Sequence, residues 1–123
     1  MRDSDRASAP ALRTFERIAD RWGLDPAERY RILGLRKSTY YRYRSDPKQA
    51  ALAPDTLERI SYVLGIYKAL QILLPRREAA DAWVKRPNQA PLFAGEPPLS
   101  VLLRGKVLNL YAVRRYLDAQ RGW

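Results

Sequence analysis

Apolar residues recur at three- and four-residue spacing along most of the chain, which is the period of an α-helix with one buried face. The first such series predicts a helix that begins at Pro10 and ends at Gly23. Its apolar members are Leu12, Phe15, Ile18, Ala19 and Trp22. Residues 1–9 are polar and charged, which predicts a flexible tail. No segment has the strict alternation of a β-strand, so the chain is predicted to be all-α.

A short helix and a basic helix follow, joined by a turn that contains glycine. Residues 25–28 (DPAE) are a helix start signal, in which the aspartate caps, the proline suits the first helical position and the glutamate reaches back. This helix is predicted to end near Gly34, and the next covers about residues 36–44. Two helices joined by such a turn form the helix-turn-helix arrangement. Residues 10–54 are therefore predicted to form a helix-turn-helix lobe.

The second half of the chain is predicted to form a small helical lobe of its own over residues 55–123. Its longest helix opens at Pro54 or Asp55 and ends at Pro75. The later segments are predicted as a helix at 76–86, a turn region rich in proline and glycine at 87–98, a short helix stopped by Gly105, and a final helix at 107–120. The longest helix has more apolar face than one small lobe can bury. We therefore expect it to contribute to a homodimer contact.

The charge balance narrows the class of partner. The 123 residues include 23 Lys and Arg against 13 Asp and Glu, which gives a net charge of +10. Such a surplus favours a polyanion or an acidic protein as partner, and composition alone leaves both open.

Histidine and cysteine are both absent from the sequence. The chain therefore lacks the commonest general base, the commonest metal ligand and any thiolate nucleophile. There is also no glycine-rich phosphate loop or paired-carboxylate motif, so we expect neither an enzyme nor a bound cofactor or metal. The N-terminal residues lack the apolar core of a signal peptide, and the longest apolar run is too short to cross a bilayer. A cytoplasmic protein without membrane contact is expected.

The strongest local signal is the segment LGLRKSTYYRYRSDP, residues 33–47. Seven cations and one acidic residue lie between residues 29 and 48. Helical spacing places Tyr40 and Tyr43 on one face, which we interpret as the buried face. The residues predicted to contact DNA are the outward-facing Arg36, Lys37, Ser38, Tyr41 and Arg42, with Arg44 and Lys48 placed to meet phosphates. The alternative is a basic helix whose outer face is only solvated.

The second half carries a family resemblance in the stretch AWVKRPNQAPLFAGEPPLSVLL. The matching residues are Trp83, Arg86-Pro87-Asn88, Leu92, Gly95, Pro98-Leu99 and Leu102. This stretch resembles the toxin-binding domain of the Xre/MbcA/ParS antitoxins, and the resemblance covers residues 55–123. A helix-turn-helix ahead of it is the arrangement that such antitoxins usually carry. One departure is Arg36, which stands where a small capping residue often sits.

The resemblance implies a two-part antitoxin that acts as a dimer, with a helix-turn-helix lobe joined by a long helix to a toxin-binding lobe. Family members bind a toxin of the RES-domain type, which degrades NAD⁺, and block its active site. They also bind the promoter of their own operon. The alternative is a stand-alone helix-turn-helix regulator whose C-terminal lobe only dimerises or senses a ligand.

Arginines and a tryptophan cluster near the end of the chain, and this mixture is enriched at interface hot spots. With the resemblance, the candidate toxin-binding residues are Asn88, Tyr111, Arg114, Arg115, Arg121, Gly122 and Trp123. We expect residues 121–123 to enter the toxin's NAD⁺ pocket, where arginines would suit the phosphates of a dinucleotide. The alternative is that Tyr116 and Trp123 fold back onto the core, and Trp83 is expected to be core rather than contact.

Overall fold

The computed structural model describes residues 3–122 of the chain, with side chains from residue 6 onwards. These residues form the helices α1 (Asp3–Trp22), α2 (Pro26–Leu33), α3 (Lys37–Ser45), α4 (Pro54–Leu73), α5 (Arg77–Ala82), α6 (Pro98–Leu102) and α7 (Val107–Gln120). Short 3₁₀ turns lie at Pro47–Gln49 and Trp83–Lys85. No strand occurs between residues 3 and 122, so the prediction of an all-α fold is confirmed.

The N-terminal helix is longer than the sequence pattern predicts. α1 begins at Asp3, so the prediction of a flexible tail over residues 1–9 is corrected for residues 3–9. Ser8 is fully buried, and its hydroxyl accepts a hydrogen bond of 2.9 Å from the backbone N–H of Leu52. A proline inside a helix removes one backbone hydrogen bond, which is why Pro10 pointed to a helix start. The contact with the loop before α4 favours the extra turns.

The long helix α4 lies at the centre of the fold. It packs along α7 and also contacts α1, α2 and α5. The buried apolar side chains of both halves form one continuous cluster around it. Most of the apolar face of α4 is therefore buried against other helices of the same chain. Among the described residues, Ile72 is the large apolar side chain of this helix that remains exposed. Gly65 lets the Arg114 guanidinium of α7 lie directly against α4, because a Cβ at this position would lie 2.6 Å from the Arg114 Cζ.

Two arginines join the helix-turn-helix to the loop before α7. The side chain of Arg59 is buried and donates to the Asp55 carboxylate at 2.8 Å, to the carbonyl of Ile32 at 3.2 Å and to that of Gly105 at 2.8 Å. Arg31 donates through Nε to the carbonyl of Leu103. The bonds to Ile32, Gly105 and Leu103 connect residues that are far apart in sequence and hold the two halves in one arrangement.

None of the helices in residues 3–122 combines the length and hydropathy that a membrane span requires.

We expect Leu110→Ala to lower the free energy of unfolding by about 2–5 kcal/mol, because Leu110 of α7 is 1% exposed and its loss leaves a cavity against α4. The matched control on the same helix is Leu108→Ala, whose side chain is 70% exposed and should change stability by less than about 0.5 kcal/mol. Urea unfolding followed by far-UV circular dichroism measures both. Because the core is continuous, a single transition is expected in each variant. Two separate transitions would contradict the shared core.

Candidate functional site

The helix-turn-helix is built by local signals at both ends of α2. Asp25 caps the helix by accepting from the Glu28 backbone N–H at 2.8 Å, and the Glu28 carboxylate accepts from the Asp25 N–H at 2.8 Å. Gly34 ends α2 with φ of +69°, a conformation that glycine adopts without steric cost. α3 begins three residues later at Lys37. Both the capping box and the glycine turn were predicted from the sequence, and the structure confirms them.

The face of α3 that packs inward is the predicted one. Tyr40 is fully buried and Tyr43 is nearly so, while the ring of Tyr30 lies 6.0 Å from that of Tyr40. The residues that were predicted to contact DNA are all exposed, and we call them the recognition surface: Arg36, Lys37, Ser38, Tyr41, Arg42, Arg44 and Lys48. The structure therefore brings these side chains to the solvent side of one short helix and the turn that follows it.

The electrostatics of the recognition surface favour an anion. The first turn of α3 carries no acidic residue, and its N-cap residue Arg36 makes no side-chain capping hydrogen bond. The positive end of the helix dipole therefore adds to the charges of Arg36 and Lys37. The carboxylate of Asp46 is engaged inside the following turn, where it accepts from the Lys48 backbone N–H at 3.2 Å and from Gln49 Nε2 at 3.1 Å.

A buried polar cluster sets the position of α3 against α1. The Tyr40 hydroxyl donates to the Glu16 carboxylate at 2.6 Å. The guanidinium of Arg29, from α2, donates to the same carboxylate, to Asp20 at 2.8 Å and to the carbonyl of Leu24 at 3.0 Å. Glu16 on α1 thus receives one donor from each helix of the helix-turn-helix. The recognition surface is oriented by this cluster as well as by apolar packing.

The cluster shifts two pKa values. Burial raises the pKa of the Tyr40 phenol, and its hydrogen bond to Glu16 raises it further. For Arg29, burial alone lowers the pKa, but the hydrogen bonds to Glu16 and Asp20 outweigh it and leave the pKa raised. The folded state therefore favours a neutral phenol beside a charged guanidinium.

The second candidate surface involves the turn region 87–98 and α7. Asn88 organises this turn: its side-chain oxygen accepts from the Ala90 N–H at 2.9 Å, and its backbone exchanges hydrogen bonds with Glu96 and Gly95 at 3.2 and 2.8 Å. Asn88 is half-buried and has a clear role inside the chain. These hydrogen bonds within the turn are enough to explain an asparagine at this position, and no contact with a toxin is needed to account for it.

The arginines of α7 divide into two kinds. The Asp118 carboxylate lies 3.6 Å from Arg114 Nε and 4.0 Å from Arg121 Nη1, so both of these candidate contacts are paired within the chain. Arg115, by contrast, is exposed on the outer side of the helix. Gly122 is exposed with φ of +86°, and Trp123 lies outside the described residues.

An apolar patch on the outer side of α7 was missed by the sequence reasoning. Tyr111, a predicted contact, is 43% exposed, and its neighbour Leu108, which was not predicted, is 70% exposed. The ring of Tyr62 on α4 meets that of Tyr111 edge-on at 5.8 Å. The sequence could have predicted the exposure of Leu108. This residue falls outside the periodic series that predicts the buried face, namely Val107, Leu110, Val113 and Leu117. We call Leu108, Tyr111 and Arg115 the outer α7 surface.

The aromatic residues ahead of α7 are part of the fold. Trp83 stacks on Tyr116 with ring centroids 6.4 Å apart, and Phe93 meets these rings edge-on at 5.6 and 5.2 Å. Trp83 and Tyr116 are half-buried against the core. The prediction that Trp83 is a core residue agrees with this packing. In the part of the chain with described side chains, no acidic cluster is placed to hold a metal ion.

The comparisons with known proteins match both halves. Residues 1–65 match the family model described as the antitoxin Xre-like helix-turn-helix domain. Residues 69–122 match the antitoxin Xre/MbcA/ParS C-terminal toxin-binding domain. A relative in Sinorhizobium fredii (strain NBRC 101917 / NGR234), named Uncharacterized protein y4oB, is 45% identical over 121 residues, which cover 97% of this chain and 91% of the relative.

The fold and the two matches thus define a helix-turn-helix protein whose second half is a toxin-binding domain. The chain belongs to the Xre/MbcA/ParS antitoxin family, and it is an antitoxin of a toxin–antitoxin pair.

We expect the stability of the fold to decrease above about pH 10, the ordinary pKa of a tyrosine, in part through Tyr40. A phenol whose pKa is raised in the folded state contributes stability that is complete below the unfolded pKa and is lost as the pH rises towards the folded pKa. Tyr40→Phe should lower the free energy of unfolding by about 1 kcal/mol at pH 8 and should show a smaller further loss at pH 11 than wild type.

Urea unfolding at both pH values measures this difference. Tyr111→Phe is the matched control, because its hydroxyl makes no contact with the Glu16 cluster. If Tyr40→Phe loses as much stability as wild type between pH 8 and pH 11, the buried phenol does not titrate as described.

Proposed function

We propose that this antitoxin binds and blocks the active site of a RES-domain toxin that degrades NAD⁺, and that it represses its own operon by binding promoter DNA as a homodimer. The observation that carries this proposal is the presence, in one chain, of an exposed cationic recognition helix and a second half that matches an antitoxin toxin-binding domain. The RES type of the toxin rests on the resemblance of residues 83–102. A regulator that lacks a toxin partner is disfavoured by the match over residues 69–122.

Promoter binding is supported by the shape and charge of α3. A recognition helix lies in the major groove with its N-terminal residues at the base edges. Here those residues are Arg36, Lys37 and Ser38, followed one turn later by Arg42, and all are exposed. Arginine can donate two hydrogen bonds to guanine, and lysine neutralises phosphate charge. A single helix-turn-helix covers one half-site, so two copies on a pseudo-palindrome would supply the specificity that a promoter requires.

Toxin binding is supported by the outer α7 surface. Leu108 and Tyr111 are exposed apolar side chains beside the exposed cation Arg115, and a partly apolar patch flanked by charge is typical of a protein contact. We propose that this surface docks on the toxin and directs residues 121–123 towards the NAD⁺ pocket. Gly122, with its positive φ, lets the chain leave the helix axis there.

For DNA binding, Arg42→Ala is expected to weaken binding to the promoter by roughly 1–3 kcal/mol, because it removes a groove contact. Arg44→Ala should weaken binding to all DNA more evenly and reduce the salt dependence. The matched control is Arg77→Ala, an exposed arginine at the start of α5 that removes the same charge elsewhere. Gel-shift titrations on promoter and unrelated duplexes measure all three. Equal behaviour of Arg42→Ala and Arg77→Ala would exclude α3 as the recognition helix.

For toxin inhibition, a chain that ends at Gln120 is expected to inhibit NAD⁺ hydrolysis by the purified toxin at least about tenfold less well, since a buried arginine or tryptophan at an interface is commonly worth 2 kcal/mol or more. Its melting temperature and promoter affinity should remain close to those of the full chain, because the recognition surface is untouched. If this chain inhibits as well as the full chain, residues 121–123 are not the inhibitory element. Tyr111→Ala tests the docking surface separately and should weaken the toxin complex in either case.

A further inference from the structure

The loop before α7 lies directly beside the turn of the helix-turn-helix. We call residues 103–105 the α6–α7 loop. It lines one cleft, of about 580 Å³, together with Gly34 and Leu35 of the turn and with residues of α2. Although Leu35 and Arg104 lie 69 positions apart in sequence, the fold places them on the walls of the same cleft. A part of the toxin-binding half thus adjoins the turn that precedes the recognition helix.

The position of this loop is held from both sides. The carbonyl of Leu103 accepts from Arg31 Nε on α2, and the carbonyl of Gly105 accepts from Arg59 Nη1 at 2.8 Å. The same Arg59 guanidinium packs against Gly34, where a Cβ would lie 2.8 Å from Arg59 Cζ. Arg104, between the two anchored carbonyls, therefore has a backbone position that is defined relative to the turn. Its side chain makes none of these bonds and is exposed.

The charge around the cleft is divided between its ends. Asp25 and Glu28 line the end at the start of α2, where each carboxylate accepts from the other residue's backbone N–H in the capping box. Arg31, in the last turn of α2, lines the end near Gly34, and the cation Arg104 also lines the cleft. Arg31 donates one of its five N–H groups to the Leu103 carbonyl, and its guanidinium keeps its positive charge at this end. An anion is therefore favoured at the turn and disfavoured at the capping box.

We infer that Arg104, supported by Arg31, contacts a backbone phosphate of the operator, so that the toxin-binding half of the chain takes part in DNA binding. When the N-terminal end of α3 enters the major groove, the helix before the turn, α2, crosses the phosphate backbone. Arg104 stands beside that turn and carries no carboxylate partner among the ion pairs of the described residues. Phosphate contacts of this kind hold the protein in register without reading sequence. The inference rests on the proposed binding of DNA by α3.

The test is the salt dependence of promoter binding by the full-length protein, measured by fluorescence anisotropy between 50 and 200 mM salt, about the range in which phosphate contacts dominate. Loss of one phosphate contact should make the slope of log K against log salt shallower by about 0.9. Arg104→Ala is expected to show this change and a several-fold weaker affinity for both promoter and unrelated DNA. Arg104→Lys keeps the charge and should therefore retain most of the wild-type slope. Arg77→Ala removes an equal charge at the other end of α4 and should leave the slope unchanged.

The outcomes separate this inference from the proposed function. If Arg42→Ala weakens promoter binding as proposed while Arg104→Ala behaves like Arg77→Ala, α3 binds DNA and the inference about the α6–α7 loop is overturned. If Arg42→Ala behaves like Arg77→Ala, α3 is excluded as the recognition helix, and the proposed function fails together with the inference that rests on it. If Arg104→Ala leaves the DNA slope intact but weakens the toxin complex, the loop belongs to the toxin contact, and the inference is likewise overturned.

Discussion

The arrangement of the three N-terminal helices depends on one carboxylate, that of Glu16. Glu16 of α1 accepts from Arg29 of α2 and from Tyr40 of α3, and so it is the point where the three N-terminal helices meet. A buried guanidinium is costly unless its charge and its donors are satisfied, and here Glu16, Asp20 and the carbonyl of Leu24 satisfy them. This directional cluster, together with the apolar packing of Tyr40 and Tyr43, gives α3 a defined position against α1 and α2.

The two halves of the antitoxin share more than a connecting helix. α4 provides one core for both, and Arg59 joins the turn before α3 to the loop before α7. A displacement of the α6–α7 loop would therefore act through Arg59 on the end of α2, next to the recognition surface. The antitoxin can be described as one cooperative unit with two exposed surfaces, the recognition surface and the outer α7 surface.

The start of α3 shows a conflict between stability and function. A helix N-cap is best filled by Ser, Thr, Asp or Asn, and an unsuitable residue there costs about 1 kcal/mol. Arg36 occupies this position and makes no capping hydrogen bond. With arginine at this position, the first backbone N–H groups of α3 have no acceptor from the N-cap side chain, and a cation lies beside them. This arrangement favours binding of a phosphate or a base edge. The departure from the usual small residue is thus consistent with DNA binding.

The sequence by itself determined the helices, the capped and glycine-ended α2, and the buried face of α3, because these depend on residues within about one helical turn of each other. Only the tertiary structure decided that residues 3–9 are helical, that Asn88 closes a turn, and that Arg114 and Arg121 are paired with Asp118 while Arg115 is exposed. It also placed the α6–α7 loop beside the helix-turn-helix. The hydrogen bonds that do so join Arg59 to Gly105, 46 positions apart, and Arg31 to Leu103, 72 positions apart. Such contacts leave no periodic trace in the sequence, since they depend on how the helices pack around α4 rather than on local spacing.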